Sequence, residues 1–266
     1  MEPLLSVRRG AVLELRMNNP KRRNGLTVEI ADALVAAFEG AARDAAIRAV
    51  LLGGVEGHFS SGADLSAALS GEADPSAEGR RRVGQTHLVE RFHPALRAIW
   101  HCSKPVVAEL AGASVGFGMS IALACDVRVM AEDAYLGCGF LKIGLFPDGG
   151  ALWQLDRLVG LARALELVLD PERRLTAAEA QAWGLAAKVV APALLAGEAL
   201  AVAERLAAGP PLVIEEAKRQ LRDPSPSFGA ALEREVAPVK DCLASDDAAE
   251  GLFAFFEKRA PKFKGG

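Results

Sequence analysis

The feature that most constrains this chain is a nearly continuous apolar run at 106–125, interrupted near its centre by glycines. It begins with Val106-Val107-Ala108 and carries Gly112 and Gly116 at a spacing also found where membrane helices pair. A membrane span is one interpretation of such a run. Glu109 inside the run, and the charges directly after it, favour a buried strand, a tight glycine turn and a buried helix.

The overall composition is that of a large globular chain without a basic surplus. It has 266 residues, 51% of them hydrophobic, a net charge of −3 and a pI of about 5.9. A substantial core is possible, and nucleic acid is not favoured as a partner. The cysteines form no CxxC pair and the histidines show no metal-ligand spacing, so we expect neither a disulfide framework nor a metal site. Met1–Gly10 has no signal-peptide core, which predicts a soluble, cytoplasmic protein with no membrane segment.

Local patterns predict strands mixed with helices, followed by helices only. A hairpin turns near Gly10, and Thr27 caps a helix that runs to about Arg43. Thr176 and Glu179 form a capping box at the start of another helix. Further strands are predicted at 50–52, 106–108, 127–129 and 188–190, a surface loop at 69–84, and helices from residue 194 onward with breaks at 209–211 and 224–226.

Two glycine-containing turns, each directly after a buried strand, are the candidates for chemistry. They are His58–Leu65 and Ala111–Met119. Small residues let a ligand approach the backbone, and the second turn leads into an apolar helix whose free N–H groups face the turn. Two N–H groups that converge on one oxygen would form an oxyanion hole. Two tight turns of an α/β core with no catalytic role are the alternative.

Five segments, spread in order over essentially the whole chain, resemble the crotonase (enoyl-CoA hydratase/isomerase) superfamily. FSSGADL is similar to the family's FxxGxDL segment, and AGASVGFGMSIALACDVRVMAEDAYLG is similar to its second glycine-turn signature. The other three are NNPKRRNGL, RLTAAEAQAWGLAAKVV and FEKRAPKFKG. The resemblance implies an α/β fold in which residues 1–195 form a spiral of ββα repeats. It also implies that residues 196–266 form a C-terminal helical part used in trimerisation, and that the protein is a homotrimer or hexamer.

The resemblance also implies an acyl-CoA thioester as substrate, with coenzyme A as part of the substrate and no other cofactor. The backbone N–H groups of Ser61 and Phe117 match the family's oxyanion hole. Phe263 and Lys264, near the end of the chain, would reach the coenzyme A of a neighbouring subunit. The residues matched to substrate or coenzyme A binding are Lys21, Arg22, Arg23, Ala63, Asp64, Leu65, Gly116, Phe140, Phe263 and Lys264.

The chain departs from hydratases of this family at both catalytic glutamates. Ser120 and Phe140 stand at the matching positions, and neither is a general base. Asp148 remains, at a position where isomerases of the phenylacetate-degradation type and acyl-CoA dehalogenases carry a catalytic aspartate. Its apolar neighbours would raise its pKa. We therefore expect isomerisation of β,γ-unsaturated to α,β-unsaturated enoyl-CoA, with Asp148 carrying the proton.

Four alternatives stay open from the sequence. One is that Asp148 only caps a helix at about Gly149–Leu158. A second is a dehalogenase or other lyase that uses Asp148 as a nucleophile, although the dehalogenases also present a tryptophan where this chain has Gly137 to Phe140. A third is a paralogue grouped with the enoyl-CoA hydratases. A fourth is a protein that binds acyl-CoA without catalysis.

Overall fold

The computed structural model describes residues 1–64 and 90–265 of the chain. The surface loop predicted at 69–84 and the predicted CoA-binding residue Leu65 lie outside the described residues. The strands are β1 (Leu4–Arg9), β2 (Val12–Met17), β3 (Ala49–Gly54), β4 (Val106–Leu110), β5 (Ala113–Val115), β6 (Val127–Ala131), β7 (Tyr135–Gly137), β8 (Leu175–Thr176) and β9 (Lys188–Val190).

These strands form a large sheet and a small one. The large sheet has six strands in the order β1-β2-β3-β4-β6-β9, with β1 and β2 antiparallel and the later neighbours parallel. The small sheet has the order β5-β7-β8. Since β5 follows β4 after two residues, the chain passes directly from the large sheet into the small one.

Helices surround the sheets and then continue alone to the end of the chain. Among the described residues, no helix is long and apolar enough to cross a membrane. The helices are α1 (Val28–Arg43), α2 (His93–Trp100), α3 (Phe117–Ala124), α4 (Ala151–Leu169), α5 (Ala177–Ala182), α6 (Leu195–Ala207), α7 (Pro211–Arg222), α8 (Phe228–Leu243) and α9 (Asp246–Glu257).

The core lies around β3 and β4, whose residues are buried almost throughout. Parallel strands of this kind are covered on both faces, which explains their unbroken apolar sequences. Helix α6 packs on β3 and β4. It therefore completes the core, although all of it but Leu195 lies on the C-terminal side of the 195/196 boundary predicted from the sequence.

Several local predictions are confirmed. The hairpin turns at Gly10, which has a φ of 59°. Thr27 caps α1, which ends at Arg43. Thr176 and Glu179 form the predicted capping box of α5. The predicted breaks also separate α6 from α7 and α7 from α8.

The start of α4 differs from the prediction. The helix begins at Ala151 rather than at about Gly149, and it continues to Leu169 across a non-helical residue, Gly160. Gly149 and Gly150 have φ values of 67° and 73°, a left-handed conformation that a right-handed helix does not contain. The segment before α4 is therefore a turn that carries Asp148.

The last helices bury few side chains within the chain. α7 and α8 contain no buried residue. Lys218 and Arg222 fix α7 to the core because both donate to the carboxylate of Asp126, at 2.6 and 2.7 Å. Large apolar side chains remain exposed on these helices, among them Leu221, Phe228, Leu243, Phe253, Phe255 and Phe256.

Candidate active site

The first turn follows β3 and is held by a buried asparagine. The side-chain amide of Asn24 donates to the carbonyls of Val55 (2.8 Å) and His58 (2.7 Å). At Gly54, a Cβ atom would lie 2.1 Å from the His58 carbonyl oxygen. The backbone is therefore too tightly folded here for any residue but glycine, and this fold sets the path of the chain to Ser61.

The second turn joins β5 to α3, and backbone contacts hold it against the first turn. The N–H of Ser60 donates to the carbonyl of Ala113, and the N–H of Val115 donates to the carbonyl of Ser60, both at 3.0 Å. Helix α3 comes so close that a Cβ on Gly118 would lie 2.6 Å from the Ser60 carbonyl oxygen. The N-terminal N–H groups of α3 therefore lie beside the first turn.

Ser61 and Phe117, the predicted oxyanion-hole residues, come together at this junction. A Cβ on Gly62 would lie 3.5 Å from the amide nitrogen of Phe117. Phe117 is the first residue of α3, where an N–H has no partner within the helix. The N–H of Ser61, however, donates to the carbonyl of Arg23 at 2.9 Å. A thioester oxygen reaches Ser61 only by sharing this hydrogen or by displacing the carbonyl, a condition that the sequence did not reveal.

The predicted CoA residues Lys21, Arg22 and Arg23 form an exposed turn next to Ser61. The Ser61 hydroxyl donates to the carbonyl of Arg22 at 2.7 Å. Arg23 has a φ of 49°, which turns the backbone back toward the core. The cationic side chains stand on the outside of this turn, where a phosphate group can reach them.

Ala63 and Asp64 lie at the same junction. Ala63 forms a bridge with Leu26, and the N–H of Asp64 donates to the Leu26 carbonyl at 2.8 Å. The Asn19 side-chain amide contacts the Asp64 carboxylate at 3.4 Å. This part of the predicted CoA site is therefore contiguous with the basic turn.

Phe263 and Lys264 lie far from the site of their own chain. Arg48 donates to the carbonyl of Phe263 at 2.9 Å, and the N–H of Lys264 donates to Asp247 at 2.6 Å. Arg48 directly precedes β3, whereas the first turn follows the other end of that strand. A six-residue strand separates the two by about 16 Å. The tail is therefore not part of the site of its own chain.

Asp148 faces His93 rather than capping a helix. Oδ1 of Asp148 lies 3.5 Å from Nε2 of His93. The N-cap of α4 is Gly150, so the alternative role of Asp148 as helix cap is wrong. Burial raises the pKa of Asp148 above its ordinary value, and the neighbouring His93 lowers it part of the way back. The expected rise in pKa is confirmed in direction, and its cause is removal from water.

Ser120, which stands where hydratases carry a glutamate, supports the turn of Asp148. It is fully buried, and its hydroxyl donates to the backbone carbonyl of Asp148 at 2.9 Å. A Cβ on Gly149 would lie 2.8 Å from the Ser120 Cβ. The turn therefore fills the space beside Ser120.

Phe140, at the second glutamate position, is 8% exposed. A Cβ on Gly116 would lie 3.9 Å from the Phe140 Cζ. Phe140 thus forms an apolar wall next to the second turn. The structure brings these two predicted substrate-binding residues together.

A cleft of about 250 Å³ opens beside the Asp148 turn, between α2, the end of α3 and the start of α4. The sequence did not single out most of its residues, because they lie on three helices that meet only in the folded chain. Between residues 1–64 and 90–265, no group of side chains is arranged to hold a metal ion. The cleft is lined by His93, Leu96, Arg97, Trp100, His101, Ala124, Gly149, Gly150, Trp153 and Gln154.

Comparison with known proteins gives full-length matches. The model of the enoyl-CoA hydratase/isomerase family matches residues 8–266. The chain is 32% identical to 2,3-dehydroadipyl-CoA hydratase of Escherichia coli K12, covering 100% of both chains. It is 33% identical to 1,2-epoxyphenylacetyl-CoA isomerase of the same organism, covering 100% of this chain and 99% of the other. An enoyl-CoA hydratase from Polaromonas sp. JS666 has a similar structure, with a TM-score of 0.90, 31% identity and 98% and 99% coverage.

Proposed function

We propose, from the premise that this chain belongs to the enoyl-CoA hydratase/isomerase family, that it converts β,γ-unsaturated enoyl-CoA into the α,β-unsaturated isomer. The relatives named above include both hydratases and an isomerase, so family membership alone does not select the reaction. The observation that carries the choice is Asp148, a largely buried carboxylate on the turn that Ser120 holds against α3.

Hydration lacks its usual catalytic groups in this site. It requires one group to activate water and a proton for the α-carbon. The Ser120 hydroxyl is engaged with the Asp148 carbonyl, and Phe140 has no titratable group. Isomerisation moves one proton and adds no atoms, so one carboxylate is sufficient.

In the proposed reaction, the thioester oxygen lies between the N–H groups of Ser61 and Phe117. Asp148 removes a proton from the α-carbon, and the electron pair delocalises through the double bond and onto the thioester oxygen. The N–H groups and the N-terminus of α3 stabilise this dienolate. Asp148 then returns the proton to the γ-carbon, which leaves the double bond between the α- and β-carbons. A raised pKa suits a group that must both take and return a proton at neutral pH.

Coenzyme A is proposed to lie along the junction that leads to Ser61. Its phosphates would contact Lys21, Arg22 and Arg23, and its adenine end would lie near Ala63, Asp64 and Leu65. We propose a homotrimer or hexamer in which Phe263 and Lys264 of one subunit complete the site of the next. The exposed apolar side chains of α7, α8 and α9 support such an assembly, because a monomer would leave them in water.

A second candidate reaction, dehalogenation with Asp148 as the nucleophile, is favoured by the position of His93. A carboxylate that acts as a nucleophile on a halogenated acyl-CoA forms an ester as the carbon–halogen bond breaks and halide leaves, and a base must then activate water to hydrolyse the ester. His93 lies 3.5 Å from Asp148, in reach of water at such an ester. Single turnover in ¹⁸O-water separates the candidates, because ester hydrolysis at the Asp148 carbonyl carbon leaves ¹⁸O in the protein and isomerisation does not.

A panel of acyl-CoA thioesters tests the proposal. We expect conversion of 3-enoyl-CoA to 2-enoyl-CoA. The reaction is monitored through the ultraviolet absorbance of the conjugated product. Addition of water to crotonyl-CoA should be far slower than the median enzyme rate of about 10 per second. Hydration at that rate, without isomerisation, would show that the reaction has been assigned wrongly.

A further inference from the structure

His93 and Asp148 form a pair that the proposed isomerisation does not yet use. The His93 Nε2 and the Asp148 Oδ1 are both buried, and neither atom has a hydrogen-bond partner in the described part of the chain. They face each other at 3.5 Å. An unsatisfied buried polar atom is destabilising, and each of these atoms can satisfy the other after a closure of about 0.6 Å.

The surroundings of His93 decide which edge of its ring meets Asp148. His93 lies near the start of α2. Its side chain is 35% exposed, although Nε2 itself is buried. The ring therefore turns one edge to Asp148 and another toward solvent. A ring that carries a proton on Nε2 can donate to the carboxylate.

Among the described residues, other titratable groups near His93 lie on α1, on α2 and directly after α2. Arg97 lies one turn further along α2, and Glu39 of α1 lines a groove together with Arg97 and His93. His101 lines the cleft on the other side. Between residues 1–64 and 90–265, His93 is the charged group that acts on the pKa of Asp148, and it opposes the effect of burial.

We propose that His93 is the positioning residue of Asp148, donating from Nε2–H to Oδ1 so that Oδ2 is presented to the substrate. This inference rests on the proposed function, since it assigns Asp148 the role of base. It adds a second requirement for activity, namely a hydrogen-bond donor at position 93.

Two substitutions at His93 and one at Ser120 test this role. His93→Gln keeps a neutral N–H donor at about the same distance from the backbone, and His93→Leu removes it. Ser120→Ala is the matched comparison, because it removes a support of the Asp148 backbone and leaves the carboxylate facing His93. Two quantities are measured: kcat/KM against pH with a 3-enoyl-CoA, and the protonation of Asp148 by infrared difference spectroscopy with Asp148→Asn as reference.

We expect His93→Leu to titrate Asp148 at a higher pH than the wild type, and to lower kcat/KM about 100-fold, the effect of a misplaced catalytic group. His93→Gln should lie close to the wild type in both measurements. Ser120→Ala should lower kcat/KM without moving the titration. The same titration of Asp148 in His93→Leu and wild type would overturn the proposal, as would a His93→Gln variant that behaves like His93→Leu. Because the infrared titration needs no turnover, it decides the role of His93 even if the substrate is not an enoyl-CoA.

Discussion

Restoring the hydratase glutamate at position 120 should damage this protein rather than convert it. Ser120 is fully buried. A Cβ placed on Gly149 would lie only 2.8 Å from the Cβ of Ser120. A Ser120→Glu side chain would therefore have to push the turn of Asp148 outward. The first effect of the substitution is overpacking, and the second is loss of the hydrogen bond to the Asp148 carbonyl.

The magnitude follows from these two effects. Overpacking costs about 1–3 kcal/mol, and the lost hydrogen bond costs about 1 kcal/mol. Ser120→Ala loses only the hydrogen bond and is the matched control. With a urea slope of about 3 kcal/mol per molar, Ser120→Glu should lower the unfolding midpoint by about 1 M and Ser120→Ala by about 0.3 M. The measurements are made at one protein concentration, because assembly adds to apparent stability.

Hydration of crotonyl-CoA should also fail to appear in Ser120→Glu, because Phe140 still occupies the second glutamate position. A Ser120→Glu variant with the wild-type midpoint would refute the packing argument. Such a variant that also hydrates crotonyl-CoA would show that the turn of Asp148 leaves room for a catalytic glutamate.

Four further outcomes are expected. Isomerase kcat/KM should fall as the pH drops through the raised pKa of Asp148, so its acid limb should lie at a higher pH than an ordinary aspartate would give; a limb at the ordinary value would count against Asp148 as base. Thr176→Ala should lower the free energy of unfolding in urea by about 1 kcal/mol through the lost cap. The pKa of Glu179 is lowered to about 2, so the free energy of unfolding should fall as the pH drops below about 4.5. Truncation after Gly251 should weaken both assembly in light scattering and CoA affinity in calorimetry, and an unchanged affinity would remove the tail from the site.

Elements specified by nearby residues could be predicted from the sequence. The capping box of Thr176 and Glu179 and the cap at Thr27 each satisfy backbone groups within three residues. The two glycine turns were also recognisable, since glycine at Gly62 and Gly118 is required by close backbone approach. Such constraints leave a mark in the letters because few residue types meet them.

What the sequence did not reveal depends on contacts between distant segments. His93 and Asp148 are 55 positions apart, and nothing near either residue indicates that their side chains meet. The engagement of the Ser61 N–H by the carbonyl of Arg23 is a backbone contact, which side-chain identity does not encode. The role of Ser120 was equally hidden, because the loss of a glutamate says nothing about the hydrogen bond that replaces it.

The central claim, that Asp148 carries the proton, is tested most directly by the turnover of Asp148→Asn on a 3-enoyl-CoA. Asparagine keeps the shape of the side chain and cannot accept the proton. Because burial disfavours the charged carboxylate, the variant should be at least as stable as the wild type at neutral pH and should bind coenzyme A equally well. Isomerisation should fall by about two to four powers of ten. An Asp148→Asn protein that isomerises the substrate at the wild-type rate would contradict the account and leave the oxyanion hole without its base.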